Sequence, residues 1–122
     1  MTVDYLRSAM GCFVTGVTVV TSMDGQILIG VTANSFSSVS LEPPLVLWSL
    51  SKASKKHAIL TSNKNFCINI LSKNQKNLAL NFSKGGEPFS GISYYLSKHG
   101  VPIIRNSVAT FECEFFAVYD GG

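Results

Sequence analysis

Charge is scarce in this chain. Only 14% of its 122 residues are Asp, Glu, Lys or Arg, against 46% hydrophobic, and the formal net charge is +3. Soluble monomers usually carry more charge, so part of the surface is expected to lie against another subunit or a ligand. Lys52, Lys55, Lys56, Lys64, Lys73 and Lys76 are spread along one stretch. A nucleic-acid binder would carry a denser patch with interleaved exposed aromatics, so no nucleic-acid partner is expected. Cysteine is sparse too. Cys12, Cys67 and Cys113 are far apart, odd in number and form no CxxC, which argues against a disulfide framework and a zinc site. Their apolar contexts suit buried small hydrophobes. No apolar run reaches the ~20 residues of a membrane span. The opening Met1-Thr2-Val3-Asp4-Tyr5 lacks the basic region and apolar run of a signal peptide, so a cytoplasmic location is expected. The chain also has no GxGxxG and no βαβ rhythm, which argues against a Rossmann site. It has no internal repeat and no low-complexity segment.

One polar stretch stands out. Between Val31 and Glu42 there is no charge, and positions 32–40 hold Thr32, Ser35, Ser37, Ser38 and Ser40. Read as a loop between two apolar segments, it can turn many neutral donors towards one ligand, such as a phosphate and the polar edge of a heteroaromatic ring. Pro43-Pro44 forbids helix there and delivers the chain extended into residues 45–50.

The remaining elements follow from pattern. Thr2 can cap a helix with Asp4 in its first turn and Leu6, Met10 and Phe13 on one face. Residues 17–22 are β-branched and read as a strand, and Asp24-Gly25 predicts a hairpin into a return strand over 27–31. Ser51 or Ser54 can cap a second helix running to about Leu60. Residues 66–71 read as a strand, and Leu78 and Phe82 mark a short helix over 74–82. The glycines and proline of 83–91 predict a mobile loop. Residues 93–96 are expected to be extended, 99–102 a turn, and 109–119 a last strand. Asp120-Gly121 after that strand looks like a hairpin without its return, so the sequence is expected to stop short of the natural domain end. Hairpin-linked short strands with two or three short helices indicate a mainly β, antiparallel barrel or curled sheet in one domain over residues 1–122.

The run Gly30-Val31-Thr32-Ala33-Asn34-Ser35-Phe36-Ser37-Ser38-Val39-Ser40-Leu41-Glu42-Pro43-Pro44-Leu45-Val46 resembles the short-chain flavin reductase family, whose fold is the FMN-binding split β-barrel. Residues 7–21, the segment Phe66-Cys67-Ile68-Asn69-Ile70-Leu71-Ser72 with Gln75 and Phe82, then Gly100-Val101-Pro102 and residues 109–113 are similar to further parts of that family. The resemblance implies an antiparallel Greek-key split barrel with short flanking helices, acting as a homodimer with flavin near the subunit interface. It implies NAD(P)H-dependent reduction of FMN or FAD, often to supply a separate monooxygenase. A module that binds FMN without nicotinamide turnover is the alternative. The family continues past the last strand through a Gly-Asp-His turn whose histidine contacts nicotinamide. This sequence has Asp120-Gly121-Gly122 there, and His57 and His99 do not match that position.

The flavin contacts implied by the resemblance fall in two segments. The first holds Thr32, Ala33, Asn34, Ser35, Ser37, Ser38 and Val39, and the second holds Ser49, Leu50, Ser51, Ser54 and Lys55. Phe82 is added as a ring neighbour, with core packing as its competing role. Backbone and amide groups of Ala33-Asn34-Ser35 suit the flavin's pyrimidine end, and Ser49, Ser51 and Ser54 ahead of Lys55 and Lys56 suit its phosphate if a helix starts there. No catalytic side chain and no metal are implied, because the cofactors carry the chemistry. Trp48 is expected in the core or a subunit interface.

Overall fold

The computed structural model describes Asp4 and residues 17–33, 36–50, 57–84 and 89–119. The expected N-terminal helix lies outside them, apart from Asp4. Strand β1 (Thr18–Asp24) pairs antiparallel with β2 (Ile27–Ala33) in the register Thr18↔Ala33 to Asp24↔Ile27. The turn between them is therefore Gly25-Gln26, one residue later than an Asp-Gly turn would place it. Gly25 has φ 61, and a type II′ turn needs glycine at this first central position. Next come β3 (Phe36–Leu41) and β4 (Pro44–Trp48), which pair with each other and not with the main sheet. The turn between them, Glu42-Pro43, holds a cis peptide bond.

Helix α1 (His57–Ser62) leads to β5 (Asn65–Ile70), which pairs with the free side of β1. A 3-10 turn (Lys73–Gln75) runs into α2 (Lys76–Lys84). The turn is held by the glutamine half of a capping box: the Gln75 side chain accepts from the Ser72 N–H at 2.8 Å and from the Ser72 hydroxyl at 3.2 Å, while the Gln75 N–H donates to the Ser72 carbonyl at 3.0 Å. Then β6 (Tyr94–Leu96) and β7 (Pro102–Ile104) form a second hairpin, and β8 (Ala109–Glu114) pairs with β5. The main sheet has the order β2-β1-β5-β8. The chain is mainly β with few helices, and the ladders among the described residues form three separate sheets rather than one closed barrel.

Both faces of the main sheet are covered. Because side chains alternate along a strand, Val20, Ile68, Ile70 and Phe111 point to one face, where Phe36 and Leu60 from β3 and α1 meet them. Val19 points to the other, against Ala79, Phe82 and Ile104. On that second face the β6–β7 hairpin is held by a buried amide. Asn69 Nδ2 donates to the Val19 carbonyl and to Thr21 Oγ1, both at 3.0 Å, and its Oδ1 accepts from the Ile104 N–H at 3.0 Å. Thr21 Oγ1 in turn donates to the Pro102 carbonyl at 2.6 Å. A side-chain network thus does the joining that a backbone ladder would otherwise do, with its polar groups satisfied.

Four sequence expectations need correction. The polar stretch 32–40 is not mainly loop: Thr32 and Ala33 end β2 and residues 36–40 belong to β3, because pairing with an apolar partner strand overrides the low strand propensity of serine. The turn expected over 99–102 gives way at Pro102 to β7, a strand the sequence reading missed. Helix α2 continues through Lys84 into the segment read as loop. The last strand ends at Glu114, not at residue 119. Its partner β5 begins at Asn65, so only the Phe115 N–H bond to the Lys64 carbonyl continues the pairing, and Phe116, Val118 and Tyr119 are exposed.

Candidate functional site

The two segments implicated in ligand binding are joined by the β3–β4 ladder. Phe36 stands opposite Trp48. Ser49 follows directly on that cross-strand pair, so it stands at the end of the ribbon where β3 begins. Two aromatic anchors fix that end to the sheet. The Phe36 ring stacks on Phe111 with centroids 5.9 Å apart, and Trp48 lies 5.8 Å from Phe66.

Beyond those anchors the ribbon is open. Ser37 and Ser38 are exposed. The register slips between Ser38 and Ser40, which leaves Val39 as the extra residue of a bulge, 60% exposed; bulges re-aim side chains in this way. Ala33 is buried at the end of β2. Leu50 is half-buried against the core, while Ser49 is exposed. Thr32 is half-buried and faces the opposite side of the sheet, where its Oγ1 donates to the Ala79 carbonyl at 2.9 Å. Asn34, Ser35, Ser51, Ser54 and Lys55 lie outside the described residues. Phe82 is fully buried in the second core cluster, edge-on to Phe89 at 4.9 Å. The structure therefore brings Ser37, Ser38, Val39 and Ser49 to one ribbon and puts Thr32 and Phe82 behind the sheet.

One residue escaped the sequence reading. Thr18 is fully buried opposite Ala33, and its Oγ1 has no hydrogen-bond partner among the described residues. Such orphans are rare in folded proteins, and this one borders the start of the polar segment. In sequence it looked like one more β-branched strand residue. His99 is exposed in the turn between β6 and β7, on the far face of the sheet from the ribbon. The two thiols among the described residues, Cys67 and Cys113, are not reactive candidates. Burial, reinforced by Glu112, pushes Cys113 up to about 12, and burial raises Cys67 further, so both stay neutral. A depression of about 440 Å³ lies between the Gly25-Gln26 turn and β6, lined by Met23, Leu28, Tyr94, Leu96 and Gly100. It holds none of the candidate residues and few donors, and the chemistry favours the ribbon.

Residues 10–122 match the Flavin reductase like domain family. The chain belongs to this family. It is 44% identical over 116 residues to the FMN reductase (NADH) SmoA of Agrobacterium fabrum, a match covering 95% of this chain and 67% of that protein. It is 39% identical over 117 residues to the flavin-dependent monooxygenase reductase subunit HsaB of Mycobacterium tuberculosis, covering 95% of this chain and 63% of that one. This flavin reductase-like chain thus spans about two thirds of the length of these relatives. Among solved structures, the NADH:FAD oxidoreductase SgcE6 of Streptomyces globisporus in complex with NAD and FAD fragments superposes with TM-score 0.81 at 34% identity, over 100% of this chain and 77% of that one. No helix among the described residues is long and apolar enough to cross a membrane.

Proposed function

We propose that this chain reduces flavin, FMN or FAD, with NADH or NADPH, as an NAD(P)H:flavin oxidoreductase that supplies reduced flavin to a partner monooxygenase. The observation that carries the reading is the Phe36–Trp48 pair, which sets Ser49 at the end of an exposed ribbon where Ser37 and Ser38 follow Phe36. The names of the relatives support the same chemistry, since one is an FMN reductase and another a monooxygenase reductase subunit.

The residues present fit a flavin. A flat ring with a phosphorylated tail needs neutral donors for its polar edge and tail and an apolar wall for the rest. Ser37, Ser38 and Ser49 offer hydroxyls, and Val39 and Leu50 offer apolar surface beside them. The buried Thr18 hydroxyl at the root of the segment, without a partner among the described residues, fits a polar environment completed by further groups. Asn34, Ser35, Ser51, Ser54 and Lys55 complete the proposed cradle, with Ala33 in the core cluster beneath Phe36 and with Thr32 and Phe82 holding the sheet from behind. When bound, flavin supplies the electron-accepting ring and the nicotinamide the reducing equivalents. The chain's own task is to hold the two in contact and in line, and positioning of this kind can account for ~7–11 kcal/mol of a barrier. The full fold we propose is the Greek-key split barrel. Exposed Leu41 and Leu47 beside Val39 and the low charge of the chain suit a homodimer that covers part of the ribbon, working in the cytoplasm.

The test is anaerobic addition of FMN and NADH, followed by the flavin absorbance. Bleaching supports the reading. Tight yellow colour without bleaching assigns a flavin-binding module without nicotinamide turnover, and no uptake overturns the flavin site altogether.

A further inference from the structure

The face of β2 turned away from the ribbon carries a dock for α2. A Cβ at Gly30 would overlap the Phe82 ring and lie 3.2 Å from Phe89, so this position is glycine because the helix sits directly on the strand. Two residues on and on the same face, Thr32 Oγ1 donates to the Ala79 carbonyl at 2.9 Å. Ala79 and Phe82 are three residues apart and share one helix face, and both are buried. A Gly-x-Thr pattern on the strand thus meets an Ala-x-x-Phe pattern on the helix, with one steric and one polar contact. Thr32 is also locked from its other side by the ladder to Val19. Positions 34 and 35 begin two residues later, before the ribbon starts at Phe36.

We infer that Thr32 is a positioning residue for the flavin site and not a flavin contact. Its hydroxyl proton is committed to α2, on the opposite side of the sheet from the ribbon. The α2 dock fixes where β2 ends, and that end sets the start of the polar segment leading into β3. This deepens the flavin reading above and rests on it.

The test is an FMN titration, by quenching of flavin fluorescence, on the intact chain at a temperature where circular dichroism shows each variant folded. Thr32→Val removes the hydrogen bond at nearly constant volume and is expected to weaken FMN binding roughly fivefold, what one hydrogen bond is worth. Thr32→Ala takes its place if the valine variant does not fold. Thr32→Ser keeps the hydroxyl and is expected to restore binding to within about twofold. Phe82→Leu loosens the same dock without touching Thr32, so the double variant is expected to bind no more weakly than the worse single one, the mark of two residues acting through one element. A structural role alone would lower the melting temperature and leave the affinity of the folded chain unchanged, and that result overturns the inference. Multiplying effects of Thr32→Val and Phe82→Leu would mean that Thr32 acts on the ligand independently of α2, and would overturn it too. A wild-type chain that takes up no FMN overturns the flavin reading itself, and the positioning role with it.

Discussion

The main sheet and the β3–β4 ribbon use the same antiparallel pairing and treat their side chains in opposite ways. In β1 five successive residues are buried, and in β5 the last five are, because helices and hairpins cover both faces. In β3 only Phe36 is buried, and Ser37, Ser38 and Val39 follow in the open. A strand covered on both faces has its register fixed by every side chain. A ribbon pinned at one end by Phe36 and Trp48 has its register fixed there and is free to offer polar side chains beyond. The difference separates what holds the fold from what can meet a ligand, and it can be broken from either side.

The largest effect is expected where the sheet is joined to its second hairpin. Asn69→Leu removes the acceptor of the buried Ile104 N–H and two donations to β1. Stranding buried polar groups costs about 1–3 kcal/mol each, so a loss of about 3 kcal/mol or more is expected in urea unfolding. A loss below about 1 kcal/mol would mean that the apolar contacts of Val101, Ile103 and Ile104 suffice to hold the hairpin. Gly30→Ala comes next. The added methyl must push the Phe82 ring or the whole of α2 away from β2, and overpacking of this kind costs about 1–3 kcal/mol. Pairing it with Phe82→Leu should recover part of the loss, which the same unfolding experiment reads.

The contrast between the two regions also explains what could be read from the sequence. The β-branched run of β1, the apolar run of β5 and the Asp24-Gly25 signal belong to the covered sheet, where side-chain pattern and burial agree, and these elements were legible. Strand β3 was not. Its serines favour loop, and only the ladder to residues 44–48 makes them a strand. Strand β7 was hidden for a related reason: a glycine and a proline flank Val101, and the segment is held by Asn69 and Thr21, whose distant side chains no local pattern shows. The last strand was read too long because its apolar residues continue past Glu114 after its partner has ended. For the site, hydroxyl content and family resemblance pointed to two segments, residues 32–39 and 49–55. That Thr32 turns away from the ribbon, and that Thr18 leaves a buried hydroxyl beside it, depends on strand register and could not be read from composition.

Alkaline pH should loosen the covered sheet. The Cys113 thiol is raised from 9.0 to about 12, by burial first and by Glu112 second, and Cys67 is raised in the same direction by burial first. The sign follows from linkage. A thiol harder to ionise in the folded chain than in the unfolded one contributes its full stability below the unfolded value, and that contribution is lost as pH climbs from about 9 towards 12. Melting temperatures taken at pH 8, 10 and 11 should therefore fall above pH 9, and Cys113→Ser should fall less steeply. Equal slopes for the two proteins would show that other groups drive the alkaline loss.

The smallest effect on stability is expected on the ribbon, and it is the one that speaks to function. Ser37 and Ser38 are exposed, so replacing both with alanine breaks no buried contact. Substitutions of this kind usually stay within about 0.5 kcal/mol each. If the ribbon serves only to cap the sheet, Ser37→Ala/Ser38→Ala should leave FMN affinity where it was. Adjacent strand residues point to opposite faces. If one of the two hydroxyls faces the flavin, the lost hydrogen bond removes about 0.5–1.5 kcal/mol of binding, and the double variant should bind FMN about fivefold more weakly at unchanged melting temperature. The two quantities must separate for the division of labour to hold. A variant that loses stability and affinity together would make the ribbon part of the scaffold, and the ligand-facing donors would then have to come from the segment after Leu50.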